Sequence, residues 1–380
     1  MAVDAVVDAA ETGDAGEAAR RLRWVLHVDL DQFLAAVEVL RRPELAGLPV
    51  VVGGRGDPTE RGVVSTASYE ARAHGVGSGM PLRVAFRKCP DAVFLPVDKP
   101  AYDEASAAVM DVLRAQRWDD QPLDLQVLGW DEAFLGLTAD RTGEPVPAPL
   151  SDPRDLAAQV RAAVLDATGL HCSVGIGNNR VQAKIATDFG KPRGVHVLTD
   201  DTWFAQLGDR PTTALWGIGR KTAARLADLG VATVTDLAAA APRRLAEAFG
   251  PTTGPWLRRL GRGVDPAPVD PTPWVARAHG REETFQTDLD DPAAVADAVR
   301  ALARRAAADI AAEGRPAVRV GIKVRDAGFR TVQRSLTLPG PEADPEVLGA
   351  YAVSLLDRVE LRRAVRLVGV RLEMAEPREH

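Results

Sequence analysis

The chain has 380 residues, 46% of them hydrophobic, and a formal net charge of −6. That is too long for one typical core, and the composition is that of a packed protein of several domains. No apolar run approaches the roughly 20 residues that span a bilayer, and two cysteines with six scattered histidines leave no disulfide framework and no zinc spacing.

Met1 to Arg20 is rich in Ala, Asp and Glu and lacks the basic start and apolar centre of a secretion signal. Residues 1–21 are expected to form a disordered acidic tail, and the protein is expected in the cytoplasm. The tail accounts for a large part of the net negative charge. An acidic total does not exclude a local basic face that binds phosphates.

Trp24 to Val28 reads as a strand that runs into Asp29-Leu30-Asp31. A helix follows, with Phe33, Val37 and Leu40 at helical spacing. Val50 to Val52 is a short strand and Val63-Val64 another, leading to a helix over Ser68 to His74. Gly75-Val76-Gly77-Ser78-Gly79 follows a helix rather than a strand, so it is not a dinucleotide loop. Tyr102 to Arg114 is helical. Leu123 to Trp130 is expected as a strand ending at Asp131-Glu132, with a further apolar run from Ala133 to Leu137. After a Pro-rich loop, Pro145 to Pro153, come a helix (Asp155 to Thr168), a strand (His171 to Ile176) and a helix (Asn179 to Phe189) stopped by Gly190 and Pro192. This is an α+β domain on a central sheet.

From Asp200 to Val264 the pattern is helical in short pieces. A linker with Pro266, Pro268, Pro271 and Pro273 favours an extended spacer. Beyond it, a helix (Pro292 to Glu313), strands over Val318 to Val324 and Thr331 to Leu338, a helix (Glu346 to Val359) and a last strand (Val365 to Met374) make a second, smaller α+β domain.

A sheet that joins the two acidic strand ends would hold Asp29, Asp131 and Glu132 in one pocket. Such like charges repel, and hard oxygen ligands suit Mg²⁺ or Mn²⁺. Two such ions are a device for in-line displacement at phosphorus. The competing reading is solvated turn acids. Thr66, Tyr69 and Arg72, spaced by three, are expected on one helix face suited to a polyphosphate, or simply on a surface helix. Lys191 is a further candidate phosphate ligand.

Leu215-Trp216-Gly217-Ile218-Gly219-Arg220-Lys221-Thr222-Ala223 has the pattern of a helix-hairpin-helix. Its glycine turn exposes backbone N–H groups to a DNA phosphate beside Arg220 and Lys221. Arg319, Lys323 and Arg325 are separated by even numbers and share a sheet face. With Arg330 and Arg334 they are candidates to follow a DNA backbone, against a reading as ordinary exposed strand charges.

Taken in order, these parts resemble the Y-family DNA polymerases, DinB (DNA polymerase IV) branch, from Trp24 to Met374. The motifs are His27-Val28-Asp29-Leu30-Asp31-Gln32-Phe33, Pro49 to Gly54, Ser65 to Arg72, Asp131-Glu132-Ala133, Ser173 to Ile176 and Lys184 to Pro192. The resemblance implies a multidomain α+β right hand: palm 22–40 and 98–199, small fingers 41–97, helical thumb 200–263, linker 264–276 and little finger 277–376. It implies two metal ions, Mg²⁺ or Mn²⁺, on Asp29, Asp131, Glu132 and the Leu30 carbonyl. It implies a triphosphate held by Thr66, Tyr69, Arg72 and Lys191, and a sugar against Phe33 and Leu34.

Three positions depart from the family. Leu34 stands where an aromatic ring usually blocks a ribose 2′-hydroxyl. Gly129-Trp130 stands where Ser and a small aliphatic are usual. No clamp-binding peptide is visible in Met374 to His380. The first and last make the chain resemble the leucine-gated DinB-type enzymes of mycobacteria and related actinobacteria.

The function implied is template-directed, translesion-type DNA synthesis at a primer 3′ end. Low processivity, use of dNTPs and rNTPs, and a monomer on primer-template DNA are expected with it. A nucleotidyl cyclase-like palm enzyme and a non-catalytic DNA-binding protein are the alternatives. The hairpin and basic sheet speak against the first, the retained carboxylates against the second.

Overall fold

The computed structural model describes residues 24–137, 151–360 and 362–377. The expected acidic tail, most of the Pro145 to Pro153 loop and the last three residues lie outside them. The chain divides into two compact units, Met1–Leu48 with Asp98–Pro273, and Pro49–Val97 with Trp274–His380.

The first unit is built on a five-stranded sheet. Its strands are β1 (Val25–Leu30), β7 (Asp124–Val127), β8 (Glu132–Gly136), β9 (Cys172–Gly177) and β10 (Val195–Leu198), in the order β10-β9-β1-β8-β7. Leu26, Val28, Ala133, Leu135, Val174 and Ile176 point to one face and are all but fully buried. This period-two pattern explains why β1 and β9 form where the sequence expects them. The other face carries His27, Asp29, Glu132, Phe134, Ser173 and Gly175, matched across the strands by register.

Helix α6 (Arg180–Gly190) lies against that second face. It starts at Asn179, whose side chain accepts from Gln182 N. A Cβ on Gly175 would stand 2.0 Å from the Ala183 carbonyl oxygen, and one on Gly177 would stand 2.5 Å from Ala183 N. Only glycine lets helix and sheet come this close. On its other side α6 contributes Val181, Ile185 and Ala186 to a helical core with Trp203, Leu207, Leu226, Leu237 and Leu257. That core is made by α7 (Trp203–Leu207), α8 (Arg220–Asp228), α9 (Val234–Ala239), α10 (Pro242–Phe249) and α11 (Thr253–Gly261).

In the second unit, β2 (Val50–Val52), β3 (Thr66–Ala67) and β4 (Val93–Leu95) make a three-stranded sheet. Val63-Val64 is not a strand; Val63 makes only an isolated bridge to Pro81. A four-stranded sheet follows in the order β11-β14-β12-β13, from β11 (Ala278–Leu289), β12 (Ala317–Asp326), β13 (Thr331–Glu342) and β14 (Val365–Met374). Helices α12 (Pro292–Ala312) and α13 (Pro345–Ser354) cover one face of it. β11 is absent from the sequence expectation. Its run Arg-Glu-Glu-Thr-Phe-Gln-Thr on an edge strand is polar apart from Phe285, which packs on the core, so it shows no alternation.

Candidate active site

Asp29 and Glu132 face each other in register on the antiparallel strands β1 and β8. Opposed residues in such a pair hold their Cβ atoms about 4.5–5.5 Å apart. The acids reach this place differently from the sequence expectation. β7 ends at Val127, and Asp131 lies in the turn before β8, which Glu132 opens. The turn is tied to β1 by the bond from Leu30 N to the Asp131 carbonyl, 2.8 Å. Strand pairing therefore sets Asp29 against Glu132, and the backbone bond of the turn holds Asp131 next to them at the end of β1. Asp31 is different: it is buried and accepts from Ser173 Oγ at 3.0 Å and from Arg193 N at 2.9 Å.

Cations from α6 and its end meet these acids. Lys191 Nζ is 2.9 Å from Asp29 Oδ2. Lys184 Nζ is ion-paired to Glu132 Oε2 and stands 3.3 Å from His27 Nε2. His27 Nε2 is itself 3.2 Å from Glu132 Oε2, and its Nδ1 is 2.8 Å from Thr187 Oγ1. Glu132 is thus held by two side chains that the sequence alone did not assign. His27 sits inside a recognised motif, but its partner lies on a distant helix.

The electrostatics follow. The His27 hydrogen bond, with Lys184 beside it, holds the Glu132 carboxyl down at about 2. Burial pushes Asp29 above the ordinary carboxylate range, and Lys191 offsets this only in part. Burial, then the Glu132 charge, push Asp131 up as well. Lys191 is raised: its own burial works against that, but Asp29 outweighs it. Burial thus disfavours the charged forms of Asp29 and Asp131, while Lys191 and Lys184 stand against Asp29 and Glu132. Ligand atoms of His27, Asp29 and Glu132 lie within 4.8 Å of one another. Asp131, expected from the sequence as a third carboxylate ligand, is not in this group, whose two carboxylates and one imidazole still fit a divalent cation.

Helix α1 (Phe33–Arg41) begins directly after β1. Phe33 is fully committed to the core, its ring 6.4 Å from that of Tyr102. Leu34 is 8% exposed. Tyr102 also donates to Glu38 Oε1 at 2.7 Å, which anchors α1 to α4 (Lys99–Arg114).

The Leu215 to Gly219 turn has Gly217 at φ 92°, and Gly219 caps α8. Trp256 closes over Gly217, whose Cβ would stand 3.0 Å from the indole. Gly219, Arg220 and Lys221 are exposed.

In the second unit, Thr66 is in strand β3 and not on a helix face with Tyr69 and Arg72. The helix α2 (Tyr69–Ala73) starts only at the Ser68 cap. Tyr69 and Arg72 do share a face, with the guanidinium 5.0 Å from the ring centroid. Arg319, Lys323 and Arg325 lie on the open face of the four-stranded sheet, where Arg371 joins them in register with Gly321. Gly280, Gly321 and Gly369 line a shallow trough of about 510 Å³ among them. Arg330 is in the β12–β13 turn. Arg334 is in register with Ile322 on the helix-covered face, and its Nε donates to the Arg358 carbonyl at 2.9 Å.

The comparisons agree with this architecture. Residues 28–188 match the impB/mucB/samB family, 276–380 its C-terminal domain, and 213–265 the DNA polymerase-iota thumb domain. The chain is 48% identical to DNA polymerase IV 2 of Mycobacterium tuberculosis, over 93% of this chain and 98% of that protein. It is 39% identical to DNA polymerase IV of Methanoculleus marisnigri, over 93% and 95%. Among solved structures, a Y-family DNA polymerase chimera of Dbh and Dpo4 superposes with a TM-score of 0.78 at 26% identity, over 92% of this chain and 98% of the other. DinB from Sulfolobus solfataricus superposes with a TM-score of 0.58 over the same shares. A central sheet bearing opposed acids, a helical thumb and a C-terminal sheet domain, matched over nearly the whole chain, place this protein in the DNA polymerase IV (DinB) family of Y-family, translesion-type DNA-directed DNA polymerases.

Proposed function

We propose that this polymerase extends a primer 3′ end by two-metal catalysis at Asp29, Asp131 and Glu132, with relaxed selection against ribonucleotides. The observation that carries the reading is the cross-strand pair Asp29–Glu132, joined by Asp131 in the adjoining turn. With the Leu30 carbonyl, these groups would hold two Mg²⁺ or Mn²⁺ ions. Bound there, such ions lower the pKa of the attacking hydroxyl and neutralise charge on the phosphates.

The chain's own residues do the rest. Lys191, drawn toward the acids by Asp29, offers its ammonium to the triphosphate. In the second unit, Thr66 on β3 and the pair Tyr69 and Arg72 on α2 offer a hydroxyl, a phenol and a guanidinium of kinds suited to phosphate oxygens. Glu132 stays ionised because His27 and Lys184 hold it so. The Gly217–Gly219 turn, with Arg220 and Lys221, grips a DNA phosphate through backbone N–H groups and the start of α8. The open sheet face with Arg319, Lys323, Arg325 and Arg371 follows a backbone by charge, with Arg330 at its margin. Such contacts carry no sequence information and weaken with salt, so synthesis is expected to be distributive.

An insertion ternary complex of Dbh DNA polymerase is among the structural neighbours, which supports DNA and a nucleotide as partners here. Among the described residues no helix is long and apolar enough to cross a membrane.

The test is steady-state extension of a primer-template with each dNTP and rNTP in Mg²⁺ or Mn²⁺. Metal-dependent extension with both sugars is expected. No extension in either metal would contradict the reading.

A further inference from the structure

Trp216 stands between the thumb turn and the catalytic carboxylates. It directly precedes Gly217, yet its indole does not enter the thumb core and is 41% exposed. The Lys184 ammonium lies 5.4 Å from its ring centroid. The Phe134 ring meets it edge-on at 6.3 Å. Both neighbours lead to Glu132. Lys184 is ion-paired to Glu132 Oε2. Phe134 packs 4.9 Å from His27, whose Nε2 is 3.2 Å from that same Oε2.

We propose that Trp216 is a positioning residue that couples the DNA-gripping turn of the thumb to the metal-binding carboxylate Glu132. The inference rests on the roles proposed above for Glu132 and for the Gly217–Gly219 turn.

The physics is local. A lysine ammonium sits on a flexible stem and offers three rotatable donors, so pairing with a carboxylate does not fix its direction. An aromatic face beneath it supplies that direction, because the ring quadrupole attracts the cation. Phe134 fixes the indole from the other side. When a phosphate seats on the turn, Trp216 moves with Gly217 because the two are adjacent and Trp256 stiffens the glycine. Occupancy of the thumb thereby reaches one carboxylate oxygen through Lys184 and through His27.

The experiment compares wild type with Trp216→Ala, Trp216→Phe, Lys184→Met, the Trp216→Ala/Lys184→Met double variant and Glu132→Ala. Four quantities are read: the single-turnover rate, the dNTP KM, primer-template Kd by anisotropy, and Mn²⁺ affinity of the enzyme–DNA complex without nucleotide. Trp216→Ala is expected to slow the single-turnover step about tenfold, roughly 1.4 kcal/mol, and to weaken Mn²⁺ binding. Its dNTP KM and DNA Kd stay within about threefold, a small change on the same scale. Trp216→Phe recovers most of the rate because it keeps a π face. The double variant is no slower than Lys184→Met, since both act through one contact.

If Trp216→Ala melts too low to assay, Trp216→Leu replaces it, filling volume without a π face. A wild-type rate and Mn²⁺ affinity in the Ala or Leu variant, a loss confined to DNA affinity, or losses that add in the double variant would overturn the coupling. An active Glu132→Ala enzyme would overturn the parent reading with it. An inactive Glu132→Ala beside an unimpaired Trp216→Ala would overturn the coupling alone.

Discussion

At the residue scale, the proposed sugar selection turns on which of Phe33 and Leu34 would face a ribose. Phe33 is 2% exposed and engages Tyr102, so it belongs to the core. Leu34, its buried neighbour at 8% exposure, is the residue proposed as the gate. A leucine there lacks the flat ring that would exclude a 2′-oxygen. Each tenfold in selectivity is about 1.4 kcal/mol, and Leu34→Tyr should raise discrimination by at least tenfold on that scale. The measurement is kcat/KM for matched dNTP and rNTP pairs, with the change expected in the rNTP value. Unchanged selectivity would place the gate elsewhere. Phe33→Ala, by contrast, should cost stability of about 3–5 kcal/mol, as truncation of a buried aromatic does.

Glu132 gives a pH prediction. Its folded pKa, about 2, lies below its ordinary value of 4.5. A depressed carboxylate contributes stability that is present above the unfolded pKa and lost as pH falls through the folded one. Glu132→Gln should therefore melt below wild type at pH 7 without metal, and the gap should close between about pH 4.5 and 2, the window that follows from linkage. A gap that stays constant with pH would mean that the His27 and Lys184 contacts do not hold the charged form.

At the element scale, helix α6 is the part that assembles the site. It brings Lys184, Thr187 and, at its end, Lys191 against β1 and β8, and it can do so because β9 offers glycine at 175 and 177. Gly175→Ala should destabilise by roughly 1–3 kcal/mol or more, as overpacking does, and should lower activity beyond what stability explains. Thermal melts and extension assays on the same preparation check this; a variant as stable and active as wild type would show that the helix can move away.

Much of this was readable in the chain. The acids announced themselves because they border apolar runs, and the thumb turn because glycine, glycine and a basic helix start occur at short range. What was not readable depended on long-range pairing. Lys184 looks like any helix lysine until α6 is laid on β8. Thr66 seemed to belong with Tyr69 and Arg72 until the Ser68 cap showed where the helix starts. Arg334 shares a strand with exposed residues, but its register with Ile322 turns it toward the helices. β11 escaped because an edge strand whose run carries one apolar residue, Phe285, has no alternation to detect.

At the scale of the whole molecule, binding of DNA is read as phosphate contact by separate basic surfaces. In the little finger, Lys323 and Arg371 lie on the open face, where Lys323 also pairs with Glu282. Arg371→Ala should weaken primer-template binding about equally across sequences and reduce the salt slope by about one. Arg334→Ala should leave that slope alone, since its guanidinium is spent on the Arg358 carbonyl. Anisotropy at several salt concentrations measures both; equal effects of the two substitutions would contradict the assigned faces.

The central claim is that Asp29, Asp131 and Glu132 carry the chemistry while other surfaces carry the DNA. Single-turnover extension by Glu132→Ala, with primer-template Kd measured on the same protein, tests it most directly. The account predicts a loss of at least about a thousandfold in rate, some 4 kcal/mol in the barrier, with Kd within about twofold of wild type. A rate within about tenfold of wild type, about 1.4 kcal/mol on the same scale, would contradict it.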